Sequence, residues 1–130
     1  DITTGEEARH AFDTYGVDAV MVGRATIGQP WIFEQMRHYL TTGEQLPMRA
    51  KSYYVEVLRQ LVDNNIAKLD ERRGILHSRR HIAASPIFKG IDHFRPVRIA
   101  MLQATTRETL FGEIARAEEL LLATGDYWTE

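Results

Sequence analysis

The sequence predicts a mostly α-helical protein, in which a C-terminal helical bundle follows a helix–strand–loop–helix unit. Apolar residues recur at helical spacing over most of the chain, and one short β-branched run interrupts them near the start. Glycine, proline and capping residues separate these segments. We place the boundary in the linker 41–47, so that the predicted domains are residues 1–42 and 48–130.

Length and composition bound the class of protein. The chain has 130 residues, of which 44% are hydrophobic and 26% charged, as in a globular protein of one ordinary domain or little more. No apolar run approaches the roughly 20 residues needed to span a bilayer, and the N-terminus has no features of a secretory signal. The absence of cysteine excludes disulfides and thiolate chemistry from this chain and fits a cytoplasmic location.

The first elements follow from capping and β-branched signals. Thr4-Gly5-Glu6-Glu7 has the pattern of a capping box and predicts a helix that ends at Gly16. The run Val17–Val22 is typical of a buried strand in a parallel sheet. A glycine loop follows, and Pro30 indicates the first turn of a second helix that ends at Gly43.

The predicted strand has no partner strand downstream. A single parallel strand cannot form a sheet, so either the chain is a fragment of a larger βα protein or the strand pairs with another copy. We expect a fragment, because the sequence has no initiator methionine and starts abruptly at a charged turn. Self-association through this unpaired strand is the alternative.

From about Met48 onward the pattern is that of helices alone. A long amphipathic helix is followed by one from about Glu71 to Ala84, which Pro86 stops. A third is predicted from Phe94 to Gln103. The capping box Thr105–Glu108 starts a last helix, and short loops between four helices indicate a bundle.

The loop after the predicted strand has the composition of a phosphate site. Gly23 allows an anion to approach the backbone closely, and the following helix N-terminus supplies N–H donors and partial positive charge. Arg24 adds a fork of donors that matches phosphate oxygens. Alternatively, Gly23 only turns the chain and Arg24 pairs with a carboxylate.

Positive charge is concentrated in one segment. The net charge of the chain is −2, yet residues 71–98 carry +5, and the rest of the chain therefore carries −7. Such a cluster can bind an RNA backbone through its phosphates. Alternatively, it is a solvated charged face whose arginines pair with glutamates on neighbouring helices. The basic residues are Arg72, Arg73, Arg79, Arg80, Lys89, Arg95 and Arg98.

A metal site is not expected. His77 and His81 have the i, i+4 spacing that places two ligands on one helix face, but the sequence supplies no third ligand in a zinc-binding motif.

Two stretches resemble the tRNA-dihydrouridine synthase family. Asp1-Ile2-Thr3 is similar to the family's N-G-D-I at barrel strand seven. The run from Gly16 to Phe33, GVDAVMVGRATIGQPWIF, resembles its G-x-D-x-V-M-I-G-R-G-A-x-G-x-P-W-x-F across strand eight. Downstream, Arg79-Arg80-His81 and Lys89-Gly90 are similar to the R-K-H and K-G of its helical domain.

The resemblance implies a fold and an activity. Residues 1–42 would be the end of an FMN-binding (β/α)8 TIM barrel, and residues 48–130 a helical tRNA-binding domain. The family reduces the C5–C6 double bond of uridine in tRNA, using FMN that NADPH recharges. Asp1, Gly23 and Arg24 would contact FMN, the last two at its phosphate. The residues that would contact tRNA are Arg72, Arg79, Arg80, His81, Lys89, Arg95 and Arg98.

The chain also departs from the family pattern. Ala25 stands where glycine is common, and Ser85-Pro86-Ile87-Phe88 replaces the usual aromatic pair before Lys89. The family's catalytic cysteine lies upstream, so no catalytic residue is expected here and the chain alone should be inactive. Other interpretations are a non-catalytic RNA-binding module, or a fragment of another FMN-dependent barrel oxidoreductase.

Overall fold

The computed structural model describes residues 2–128, and six α-helices contain most of them. The chain divides into two units, the first ending at Pro47 and the second beginning at Met48. The first unit contains α1 and α2, and the second contains α3 to α6. The helices are α1 (Gly5–Tyr15), α2 (Ile32–Thr42), α3 (Lys51–Lys68), α4 (Glu71–Ala84), α5 (Arg95–Gln103) and α6 (Arg107–Leu122).

Helix α1 begins and ends where the sequence predicts. The Thr4 hydroxyl oxygen accepts a hydrogen bond from the Glu7 N–H at 3.0 Å, which satisfies a donor of the first turn. Gly16 ends the helix in the left-handed conformation, with φ of 61°. Helix α1 packs on α2, where the Arg9 guanidinium donates to the carbonyl oxygen of Leu40.

The strand predicted over Val17–Val22 is not formed, which corrects the fold class assigned to the start of the chain. No β-strand occurs among residues 2–128, and the segment between α1 and Gly23 has no regular secondary structure. A strand is defined by its hydrogen bonds to a neighbour, and no other part of the described chain supplies one. Met21 is 86% exposed as a result. The two helices that flank the predicted strand are observed, whereas the barrel strand itself is not.

The second unit is a four-helix bundle, as the sequence predicts. Helix α3 packs on α4 and α6, and α5 packs on the same two helices. At the α3–α4 crossing, a Cβ on Gly74 would lie 2.6 Å from the Cα of Ile66, so only glycine permits this approach. The side chains most fully buried in this core include Leu58, Ile75, Met101, Leu110, Ile114 and Leu121.

Polar contacts fix both ends of α6. The N-cap is Thr106, whose hydroxyl oxygen accepts from the Thr109 N–H at 3.2 Å, one residue later than the predicted capping box. At the other end, the buried ammonium of Lys51 on α3 donates to the Thr124 hydroxyl at 2.7 Å and lies 3.5 Å from the Leu121 carbonyl oxygen. A cation beside the last carbonyls of a helix stabilises its C-terminus.

Residues 2–128 contain neither a membrane-spanning helix nor a group of side chains that could hold a metal ion. None of their helices is long and apolar enough to cross a membrane. No three histidine, aspartate or glutamate side chains in this range come together as a metal site would require.

Candidate functional site

The turn at Gly23 is built by backbone and hydroxyl hydrogen bonds. Gly23 precedes a short 3-10 turn, Arg24–Thr26. Its carbonyl oxygen accepts both the N–H of Thr26 at 3.0 Å and the Thr26 hydroxyl at 2.8 Å. Because two donors converge on one carbonyl, the turn holds the Arg24 backbone in a defined position.

An open cleft of about 710 Å³ lies at this turn. A Cβ added to Gly23 would meet no atom within 4 Å, so the described residues do not themselves require glycine there. The Arg24 side chain is exposed at the cleft, and no described residue lining it bears a carboxylate. The lining residues are Ile2, Thr3, Met21, Gly23, Arg24 and Ala25.

The cleft has the chemistry of an anion site. It combines a guanidinium group with a turn whose glycine leaves space beside the backbone. Asp1, the third residue predicted to contact a cofactor, lies outside the described residues.

In the second unit, α4 presents one buried face and one basic face. Gly74, Ile75, Ser78 and Ile82 are buried against the bundle. The opposite side of the helix is exposed and carries three arginines with one leucine between them. These residues are Arg72, Arg73, Arg80 and Leu76.

Several arginines of this unit pair with carboxylates, as a solvated charged face would require. Their N–O distances range from 2.7 Å for Arg107–Asp63 to 3.3 Å for Arg59–Glu56. The Arg107 hydrogen bonds hold the pKa of the Asp63 carboxyl below its usual value. The other pairs are Arg59–Glu118, Arg73–Asp70 and Arg116–Glu113.

Four of the cations predicted to contact RNA have no carboxylate partner in the described part of the chain, unlike these arginines. Arg72, Arg80, Lys89 and Arg95 are exposed and form no hydrogen bond or ion pair with another described residue. Lys89 follows the 3-10 turn Pro86–Phe88, and Arg95 is the first residue of α5. These four residues, called the unpaired cations below, carry positive charge that the fold leaves available to a partner.

Arg79 and Arg98 have structural contacts instead. A guanidinium nitrogen of Arg79 on α4 donates to the carbonyl oxygen of Ala104, the C-cap of α5, at 3.1 Å. Arg98 on α5 donates to the carbonyl oxygen of Ala83, in the last turn of α4, at 3.0 Å. Each arginine therefore satisfies a carbonyl at the end of the other helix, where intrahelical donors are lacking.

His81 is partly buried near the C-terminus of α4. Burial, together with the neighbouring Arg80 charge, lowers the pKa of His81 below its ordinary value of 6.5. At neutral pH the imidazole is therefore uncharged, and its predicted RNA contact would be a hydrogen bond rather than a cationic one.

A small cleft beside α4 contains two residues that the sequence did not assign to a binding site, Leu76 and Thr105. It has a volume of about 360 Å³ and is lined by Arg72, Ile75, Leu76, Arg79 and Thr105. Leu76 is 45% exposed although its neighbours on that face are charged. An apolar residue on the polar side of an amphipathic helix was the signal available in the sequence. Thr105 gave no such signal.

Known proteins similar in sequence indicate the family of the chain. A family model described as dihydrouridine synthase matches residues 1–121. The chain is 38% identical over 82 residues to the tRNA-dihydrouridine synthase B of Pseudomonas putida, covering 63% of this chain and 24% of that protein. It is 41% identical over 87 residues to the protein of the same name from Shewanella oneidensis, covering 63% and 26%.

A shorter stretch is more similar still. Over 47 residues, 36% of this chain, the identity to the tRNA-dihydrouridine synthase B of Salmonella typhimurium is 55%. The match covers only 15% of that protein. The chain thus spans about a quarter or less of the length of the curated relatives it matches.

Proposed function

Because this chain belongs to the dihydrouridine synthase family, we propose that it forms part of a flavin-dependent enzyme that reduces uridine to dihydrouridine in tRNA, with NADPH as electron donor. In this proposal, the first unit supplies one corner of the FMN site and the second unit binds tRNA. The chain contains no cysteine, and in this proposal the family's catalytic cysteine belongs to a part of the enzyme outside this chain. The chain by itself is therefore expected to be inactive.

The residues at the first cleft fit an FMN phosphate. The glycine at position 23 is not demanded by any described neighbour, and an anion that occupies the cleft would explain it. Arg24 would neutralise part of the phosphate charge, with Asp1 as a further contact to the flavin. When bound, the flavin supplies the hydride chemistry, while this chain's residues bind and orient its phosphate end.

The unpaired cations carry the tRNA-binding half of the proposal. Four other arginines of the unit, one of them in the basic segment, lie 2.7–3.3 Å from carboxylate oxygens: Arg59, Arg73, Arg107 and Arg116. A single exposed cation such as Lys68 needs no partner, but in the alternative of a solvated charged face the arginines of the basic segment would be paired with glutamates on neighbouring helices. Arg72, Arg80, Lys89 and Arg95 are not. Leaving four positive charges without partners favours binding to an extended anion such as an RNA backbone.

The expected role of these cations is to position the RNA. Contacts to phosphates fix the register and orientation of a nucleic acid but do not read its bases. A uridine must leave its stack to reach a flavin, and a firmly held backbone on either side favours that extrusion. The α4–α5 face would thus orient the tRNA, and the chemistry would take place elsewhere in the enzyme.

The test is tRNA binding by the 130-residue chain and by a variant with all four unpaired cations changed to glutamine. Every cation removed from a phosphate weakens binding, so we expect affinity for a tRNA transcript to fall by at least about 100-fold at low salt. The control is Lys68→Gln, which removes an exposed charge outside the basic segment and should change affinity about twofold or less.

Equal affinity of the quadruple variant and the parent chain would reject tRNA binding by this face. Circular dichroism shows whether the variant is folded. All four side chains are exposed and unbonded, so their removal should leave the helices intact.

A further inference from the structure

The small cleft beside α4 differs from the rest of the basic face, because two cations converge on it from one helix. Arg72 and Arg79 are two turns apart on α4 and both line it. None of the residues that line the cleft bears a carboxylate. The cleft itself thus offers no negative charge to offset its two guanidinium groups, which favours an anion there.

One of the two cations is held in place before any ligand arrives. The Arg79 guanidinium is fixed by its hydrogen bond to the Ala104 carbonyl oxygen, and its Nε is buried without a hydrogen-bond partner. Because the Arg79 guanidinium forms this one bond and no ion pair with a described carboxylate, its other N–H donors can bind a ligand. A side chain already held in one position loses little entropy when it binds.

The remaining walls of the cleft suit a nucleotide rather than a bare ion. Thr105 also lines the cleft, and its hydroxyl, which forms no hydrogen bond with a described residue, is a neutral donor. Ile75 and Leu76 provide an apolar wall, of which Leu76 is 45% exposed. The volume of about 360 Å³ is at the lower end of the range for small-ligand sites.

From this arrangement we infer that the cleft receives one backbone phosphate of the bound RNA, with the attached ribose packed against Leu76. Arg72 and Arg79 contact the phosphate oxygens, and the Thr105 hydroxyl donates to one of them. This inference rests on the proposed function and adds a defined anchoring point to it. The other unpaired cations act over a broader surface, whereas this cleft fixes the register of the RNA.

The test compares a charge-neutral variant with a charged one. Thr105→Val removes the hydroxyl and keeps side-chain shape and net charge. We expect it to weaken binding of a tRNA transcript about threefold to tenfold, with the salt dependence unchanged, because a neutral donor releases no counterion. Arg72→Gln should weaken binding about tenfold or more and reduce the salt slope by about one. The matched control is Lys68→Gln, which removes the same charge away from the cleft.

The results distinguish failure of the tRNA-binding proposal from failure of the cleft assignment. If the parent chain does not bind tRNA, the tRNA-binding proposal and the inference both fall. If it binds, but Thr105→Val equals the parent and Arg72→Gln equals Lys68→Gln, the cleft is not an anchoring point and general charge suffices. A further outcome is that inorganic phosphate binds saturably and shifts the Thr105 amide resonance while Thr105→Val keeps full tRNA affinity. That pair of results would assign the cleft to free phosphate and overturn the RNA assignment.

Discussion

The guanidinium of Arg79 donates a hydrogen bond to the carbonyl oxygen of Ala104 across 3.1 Å, joining helix α4 to the end of α5. The next residue, Arg80, is exposed and forms no bond with a described residue. Two adjacent arginines in one motif thus have different surroundings. The first bonds to the end of α5 and lines the small cleft beside α4, and the second lies on the basic face.

This difference predicts unequal stability effects. Arg79→Met should lower the free energy of unfolding by about 1–2 kcal/mol, because it removes a charge-assisted hydrogen bond at a helix C-terminus. Arg80→Met should change it by less than about 0.5 kcal/mol. Urea unfolding of both variants measures the two values. Equal effects would mean that the Arg79–Ala104 bond contributes nothing specific to the bundle.

The close crossing of α3 and α4 predicts that a larger residue at position 74 destabilises the bundle. In Gly74→Ala, the new methyl group would lie 2.6 Å from the Ile66 backbone, so the helices must separate. We expect a loss of about 3 kcal/mol in the free energy of unfolding.

Gly112→Ala on α6 is the matched control. A Cβ there meets no atom within 4 Å, so the better helix propensity of alanine should stabilise the chain by about 0.5–1 kcal/mol. Thermal melting of the two variants should therefore shift in opposite directions. A Gly74→Ala variant as stable as the parent chain would contradict the close approach of the two helices.

Arg24 is predicted to matter for flavin retention. In the flavin enzyme proposed to include this chain, Arg24→Ala should weaken FMN binding by about tenfold or more, since it would remove the proposed charge-assisted hydrogen bond to phosphate. Flavin absorbance per purified protein reports the occupancy. Arg37→Ala removes another exposed arginine of the same unit, in α2, and should leave the occupancy unchanged. An Arg24→Ala protein with full flavin content would reject the phosphate assignment.

The lowered pKa of His81 predicts a pH effect on stability. Burial, then the Arg80 charge, keeps the pKa of His81 below 6.5, so the folded chain binds this proton less readily than the unfolded chain. The stability gained from the low pKa of His81 is complete above pH 6.5 and is lost as the pH falls through the folded-state pKa. The free energy of unfolding should thus fall more steeply on acidification in the parent than in His81→Gln. Parallel pH profiles would show that His81 is not the group responsible.

Much of the helical fold could be predicted from local signals. Helix α4 spans Glu71–Ala84, as predicted from its periodicity and from Pro86, and Thr4 caps α1 through a side chain within its own turn. The strand over Val17–Val22 could not be decided by local pattern, because its formation depends on hydrogen bonds to a neighbour that sequence periodicity does not specify.

The candidate sites, like the fold, were predictable from the sequence only where local pattern determines them. Gly23 and Arg24 are adjacent in sequence, and their cleft lies at the predicted turn. The roles of Arg79 and Thr105 depend on how α4 packs beside the end of α5, which no local pattern determines. The basic cluster was evident from composition, whereas the separation of paired from unpaired cations needed the positions of Asp63, Asp70 and Glu118.

The most direct test of the central claim is the salt dependence of tRNA binding by the 130-residue chain. If the four unpaired cations contact phosphates, a plot of log affinity against log salt concentration should have a slope of about −3 to −4. Changing all four to glutamine should reduce the slope to about −1, the contribution that the Arg79 contact would leave. A shallow slope in the parent chain, or a steep slope that survives the four substitutions, would contradict RNA recognition by this face.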